Sequence, residues 1–144
     1  MEKGIALEAI KGVEYLYNDP CHTTMKIHDP LKVASTLMGK NIELSDRCCG
    51  EAGTFAVSRP DIATQVRYRK QEEIEKGLKK LNSDKVKILT SCPACQQGLA
   101  RYSDETGIEP DYIVVELAKY HLGENWGMKF VDKIQKDGVD RVLL

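Results

Sequence analysis

The sequence predicts an α/β domain with a parallel sheet, flanking helices, and cysteines at the carboxyl ends of the strands. Three observations lead to this fold class. Short β-branched and aromatic runs alternate with longer amphipathic segments, which is the pattern of parallel βαβ units. A cysteine follows each of the first three strand-like runs, and right-handed crossovers bring such strand ends to one edge of a sheet. The length of 144 residues suits a single domain, residues 1–144.

The first predicted strand is residues 13–17, a run of β-branched and aromatic side chains that ends before an Asn-Asp-Pro turn. Cys21 comes directly after that turn. The next segment has helix signals at both ends: Asp29 is a suitable N-cap, Pro30 fits the first turn, and Gly39 is placed to end the helix. The sequence therefore predicts a strand, a cysteine and a helix in that order.

The second predicted strand, residues 41–44, leads to the adjacent cysteines Cys48 and Cys49. The longest predicted helix begins at residues 58–61 and runs to Leu81, because its apolar side chains recur at helical spacing. Four basic residues in its first half are expected on the solvated surface: Arg59, Arg67, Arg69 and Lys70. A helix of this length returns the chain across a sheet.

The third predicted strand, residues 86–90, is followed by a Cys-x-x-Cys hook formed by Cys92 and Cys95. Pro93 lies between them and is typical of the first position of a helix. Cys92 therefore lies at a helix N-terminus, where the helix dipole favours the thiolate.

Beyond the hook the signals are weaker. An amphipathic stretch covers residues 111–122, and a second helical segment lies around residues 130–134. Gly138 is placed to end that segment. The terminal apolar run, residues 139–144, is the candidate for a fourth strand.

Charge and hydropathy exclude several classes of protein. Lysine and arginine number 21 against 22 aspartate and glutamate, which gives a net charge of −1, and no basic stripe predicts nucleic acid as a partner. No segment approaches the ~20 apolar residues of a membrane span, and the first residues lack the features of a signal peptide. The expected compartment is the reducing cytoplasm.

The five cysteines are the chemically informative residues of the chain. An odd number of thiols without an export signal argues against a disulfide framework and for a metal or redox site. Structural zinc takes four ligands, commonly from two short hooks, and this chain has one hook. The surplus thiol and the adjacent pair favour an iron–sulfur cluster, because neighbouring thiolates can reach different iron atoms.

Two alternatives remain open at this point. The first is a metal-free thiol–disulfide oxidoreductase in which Cys92 attacks and Cys95 resolves. The second is a zinc-stabilised interaction domain without a redox role. Gly50 and Gly53 flank the adjacent pair, where they would let backbone N–H groups approach the cofactor, and His22 is either a further ligand or a rim residue.

Three segments together resemble the family of cysteine-rich CCG domains. They are residues 19–22 (Asp-Pro-Cys-His), 48–54 (Cys-Cys-Gly-Glu-Ala-Gly-Thr) and 91–95 (Ser-Cys-Pro-Ala-Cys). Such domains occur in one of the subunits of heterodisulfide reductase, in glycolate oxidase iron–sulfur subunits and in FAD-linked dehydrogenases of the D-lactate type. The first gap between cysteines is shorter here, and the second longer, than in the usual form of the motif.

The resemblance implies an iron–sulfur electron-transfer module with a 4Fe-4S cluster, zinc being the alternative metal. It carries over all five cysteines as metal ligands: Cys21, Cys48, Cys49, Cys92 and Cys95. It further implies an oxidoreductase of the D-lactate or glycolate dehydrogenase or heterodisulfide reductase type, acting on a 2-hydroxy acid or related substrate.

The resemblance also predicts that this chain is part of a larger protein, here called the parent protein. Family members tend to carry two such motifs, so this chain resembles the C-terminal domain of a larger FAD-linked protein. The expected partners are a flavin dehydrogenase domain or subunit and a second CCG domain. FAD is then bound by the parent and not by this domain, and any membrane association is made through a partner.

Overall fold

The structure is a computed structural model that describes residues 12–23, 27–51 and 54–138. Its four strands are β1 (Glu14–Asn18), β2 (Glu43–Leu44), β3 (Val86–Thr90) and β4 (Glu109–Tyr112). Its helices are α1 (Pro30–Met38), α2 (Phe55–Ser58), α3 (Pro60–Leu81), α4 (Pro93–Ala100), α5 (Ser103–Thr106), α6 (Ile113–Leu122) and α7 (Trp126–Asp137).

The strands form one parallel sheet in the order β2-β1-β3-β4, which confirms the predicted fold class. β1 is central and pairs with β3 along its whole length, from Glu14 opposite Val86 to Asn18 opposite Thr90. Three consecutive residues of β1 are fully buried: Tyr15, Leu16 and Tyr17. Burial on both faces is expected of a parallel sheet that is covered by crossover helices.

The helix after β1 begins and ends as predicted. Asp29 is the N-cap of α1, and its Oδ1 accepts hydrogen bonds from the backbone N–H groups of Leu31 at 3.0 Å and Lys32 at 3.1 Å. Gly39 ends the helix in the left-handed conformation, with φ of 64°. Both signals act locally, and for that reason they are readable in the sequence.

Replacing Asp29 with alanine is expected to lower the free energy of unfolding by about 0.5–2 kcal/mol, because two N–H groups lose their acceptor. Asp29→Ser is the matched control, since a serine side chain can still cap. Urea denaturation of the two variants and the wild type measures the difference. Equal stability of the alanine variant and the wild type would show that this cap contributes nothing.

The fourth strand differs from the sequence expectation. It is β4, residues 109–112, whereas the predicted terminal strand of residues 139–144 lies outside the described residues. β4 pairs with β3 alone and contains Pro110. Proline is accepted at a sheet edge because the missing N–H costs no ladder hydrogen bond on the open side.

α3 corrects one prediction about the long helix. Lys70, expected on the solvated surface with three arginines, is fully buried, whereas Ile62 at the start of the helix is 39% exposed. The stripe that faces the sheet includes Ala63, Lys70 and Ile74. The position of Lys70 four residues before Ile74 is a sequence signal for burial, since i and i+4 share a helix face.

The chain separates into two compact units, residues 1–113 and residues 114–144. The first contains the sheet and its core cluster, which is made of Leu16, Cys49, Ile74, Val86, Ile88, Cys95, Leu99, Tyr102 and Ile108. The second contains most of α6 and all of α7, which ends at Gly138 as predicted. Among the described helices, none combines the length and the apolar character needed to cross a membrane.

Candidate metal centre

Three neighbouring strands deliver the cysteines to one edge of the sheet. Cys21 follows β1, the pair Cys48 and Cys49 follows β2, and the hook of Cys92 and Cys95 follows β3. These strands are adjacent and parallel, so their carboxyl ends meet. The predicted convergence of all five thiols is confirmed by a shared cavity of about 150 Å³, which all five line together with Pro20, His22, Glu51 and Ala94.

Four of the thiols lie in two close pairs within this cavity, and Cys95 also hydrogen-bonds with Cys92. The sulfurs of Cys49 and Cys95 are 3.2 Å apart and buried, and those of Cys21 and Cys48 are 3.5 Å apart nearer the surface. All five cysteines are free thiols. The hook residue Cys95 therefore contacts a thiol from a different strand end, which ties the two segments of the site together.

The pKa values of the two buried cysteines, Cys49 and Cys95, are shifted in opposite directions. A hydrogen bond from the Cys95 thiol is the main cause that lowers the pKa of Cys49 to about 6, with further help from the backbone N–H of Glu51 and the charge of Lys70. The same contact raises the pKa of Cys95 well above its ordinary value, because its proton is held by Cys49. Burial raises the pKa of Cys48. Cys49 is thus the thiol already favoured as thiolate, the form that binds metals.

The segment from Cys48 to Glu51, here called the cysteine loop, lies between α3 and α4. Gly50 has φ of 79°, and its N–H donates to the Cys48 sulfur at 3.4 Å. On the α4 side, a Cβ added to Gly98 would lie 2.8 Å from Glu51 Cβ and 3.4 Å from the Cys49 carbonyl oxygen. Glycine is thus required at residue 50 by the backbone angle and at residue 98 by close approach.

Other contacts fix the same loop and the hook. Arg101 forms an ion pair with Glu51 at 2.7 Å, and the Tyr102 hydroxyl lies 3.5 Å from the Cys49 carbonyl oxygen. Tyr17 in β1 donates to Ser91 Oγ at 3.2 Å, directly before the hook. These contacts hold the strand ends from which the thiols project.

Lys70 is the residue of this region for which the surface prediction is wrong. Its ammonium donates to the Ser45 carbonyl at 2.8 Å, to Ser45 Oγ at 3.0 Å and to the Asp46 carbonyl at 2.8 Å. Ser45 and Asp46 belong to the segment that leads into Cys48. Burial lowers the pKa of Lys70 to about 8 against the opposing pull of nearby negative charge. The side chain therefore fastens α3 to the start of the cysteine loop.

The donor set fits a soft multi-metal cofactor. Thiolate sulfur selects iron–sulfur clusters, zinc or copper(I), and backbone N–H groups near the sulfurs are the supporting contacts such cofactors need. Among the described residues, no three histidine, cysteine, aspartate or glutamate side chains converge closely enough to hold a single metal ion.

The sequence also predicts His22 and Gly53 at the site, and the structure describes the first of them. His22 lines the cavity but is exposed, at the rim. Gly53, predicted to flank the cofactor with Gly50, lies outside the described residues.

Comparison with known families gives two matches. The model of a cysteine-rich domain (CCG) matches residues 15–100, more than half of the chain and all five cysteines. The model of a domain of unknown function (DUF3400) matches residues 100–144. No solved structure matches significantly.

Three curated proteins are similar to this chain. An uncharacterized iron–sulfur protein of Methanococcus maripaludis is 28% identical over 70% of this chain and 21% of its own length. A subunit of the fumarate reductase (CoM/CoB) of Methanothermobacter marburgensis is 31% identical over 64% of this chain and 19% of its own length. The glycolate oxidase iron–sulfur subunit of Escherichia coli K12 is 39% identical over 39% of this chain and 12% of its own length. The matched part of this chain thus spans about a fifth or less of each relative.

Proposed function

This chain belongs to the family of cysteine-rich CCG domains, and on that premise we propose that its five thiols hold an iron–sulfur cluster that carries electrons within a larger oxidoreductase. The observation that carries the proposal is the convergence of all five cysteines on one largely apolar cavity. Soft ligands in an apolar pocket with N–H donors nearby are the environment in which such clusters transfer electrons.

The proposed ligands are the five cysteines named above, and the proposed cofactor is a 4Fe-4S cluster. When bound, the cluster supplies a site that accepts and releases one electron at a time. The chain's own residues position it: Gly50 offers its N–H to the Cys48 sulfur, and Glu51 offers its N–H to Cys49. The names of two relatives, an iron–sulfur protein and an iron–sulfur subunit, support this choice over zinc.

The partner and substrate are proposed from the same relatives. A glycolate oxidase subunit and a fumarate reductase subunit each work with other components, so we propose that this domain serves a flavin dehydrogenase domain or subunit. Glycolate is a 2-hydroxy acid, and a substrate of that class is proposed for the parent protein. The domain itself passes electrons without turnover of its own, and the compartment proposed for it is the reducing cytoplasm.

The electron-transfer role is tested on protein reconstituted anaerobically with iron and sulfide. Addition of chemically reduced flavin is expected to reduce the cluster and give it an electron paramagnetic resonance signal, because an electron passes from the flavin to the cluster, and reoxidation should remove that signal. A matched sample reconstituted with zinc gives no cluster signal. A cluster that forms but neither accepts nor returns electrons would contradict the proposed role.

A further inference from the structure

Lys70 is a buried cation whose hydrogen-bond partners carry no formal charge. Its side chain is fully buried, and its three acceptors are two backbone carbonyls and a hydroxyl, from Ser45 and Asp46. Removing an ammonium from water costs several kcal/mol unless negative charge compensates for it. The hydrogen bonds explain where the ammonium lies. They supply no negative charge, so other groups have to balance its positive charge.

Negative charge that would balance the ammonium belongs to the neighbouring five-cysteine site. The segment that accepts the hydrogen bonds of Lys70, Ser45 and Asp46, leads directly into the proposed ligands Cys48 and Cys49. Thiolates that hold a cluster there would supply the negative charge that the hydrogen bonds do not. The attraction is reciprocal, since the charge of Lys70 also favours the thiolate of Cys49.

We propose that Lys70 raises the reduction potential of the cluster by holding a buried positive charge beside the cysteine loop. This inference rests on the proposed function. An electron added to the cluster adds negative charge, and a nearby cation stabilises that reduced form more than the oxidised one. In a buried setting the interaction is strong and poorly screened by salt. The charge near a cluster is one of the quantities that set its potential.

The position of Lys70 argues against a purely structural role. Ile74 occupies the same helix face one turn later and is also fully buried. An apolar side chain at residue 70 would continue that stripe without a desolvation cost, and replacing buried charges by well-packed apolar groups is often neutral or stabilising. Unlike an apolar side chain, the lysine brings a positive charge to this position, next to the segment that leads into Cys48 and Cys49.

The test is a redox titration of the anaerobically reconstituted domain, comparing wild type with Lys70→Met, Lys70→Gln and Lys70→Arg. The two neutral variants are expected to have midpoint potentials shifted to more negative values, whereas the arginine variant stays near wild type. Lys79→Met is the matched control, because Lys79 is an exposed lysine on the same helix and its charge is screened by solvent. The shift of the neutral variants should persist in high salt.

A cluster of unchanged potential in the neutral variants would overturn the inference and leave the proposed function standing. Absence of any cluster in the wild type overturns both. If the neutral variants do not fold or do not bind a cluster, the arginine variant is the deciding measurement. A cluster bound at the wild-type potential in the arginine variant supports a requirement for positive charge at residue 70. Cluster binding in the arginine variant as poor as in the glutamine variant shows instead that Lys70 acts through packing. Ser45→Ala, which removes one hydrogen bond and keeps the charge, should retain the wild-type potential.

Discussion

Serine in place of either Cys48 or Cys49 is expected to remove most of the bound iron or to change the electron paramagnetic resonance spectrum of the cluster. Each of these residues belongs to a different sulfur pair, Cys48 with Cys21 and Cys49 with Cys95. A hydroxyl is a poor ligand for soft metals. Loss of a direct ligand should lower the affinity for the metal by more than the ~10–100-fold that follows from loss of a supporting contact. Iron content and resonance spectra of both variants beside wild type measure the effect.

The adjacent pair separates a cluster from a tetrahedral zinc site, which has four ligands and leaves one thiol spare. A spare thiol would allow at least one of the two serine variants to keep full metal content. Asp46→Glu is the control for changes just before the cysteine loop, because it removes no thiol and keeps both the carboxylate and the carbonyl that binds Lys70. A wild-type spectrum in either cysteine variant would reduce the ligand set to four.

Gly98→Ala is expected to displace the cysteine loop and lower both stability and iron loading. The new methyl group would lie 2.8 Å from Glu51 Cβ, a distance that real Cβ contacts do not show, and close to the Cys49 carbonyl. Overpacking of this kind costs about 1–3 kcal/mol, partly offset by the ~1 kcal/mol by which alanine favours a helix over glycine. Urea denaturation of the metal-free protein and iron analysis after reconstitution report the two effects separately.

Gly127→Ala is the matched control for this substitution. Gly127 also lies in a helix, and nothing stands within 4 Å of the added Cβ. That variant should be as stable as wild type or slightly more stable, with full iron loading. Identical behaviour of the two alanine variants would mean that the approach of α4 to the cysteine loop has no consequence for the site.

Local signals explain what the sequence could predict. The strand before Cys21, the capped helix that begins after Asp29 and the strand of residues 86–90 each have their own composition and end signals, and each is found within one residue of the prediction. The convergence of the cysteines follows from the handedness of crossovers once the strands are parallel. The site is predictable because every thiol segment follows a strand end.

The features that the sequence does not predict depend on tertiary context. β4 contains Pro110 flanked by acidic residues, and only pairing with β3 at the sheet edge makes this segment a strand. Residue type alone places Lys70 on the surface, although its position on the apolar face of α3 indicates burial. Its acceptors, carbonyls from a loop about 25 residues earlier, come together with it only in the folded chain.

Whether the five thiols hold an iron–sulfur cluster is decided by metal and sulfide analysis of protein purified anaerobically, with a visible absorption spectrum of the same sample. We expect iron and acid-labile sulfide in equal amounts, about four of each per chain for a 4Fe-4S cluster, and broad visible absorption. Stoichiometric zinc without iron, persisting after anaerobic reconstitution with iron and sulfide, would contradict this expectation.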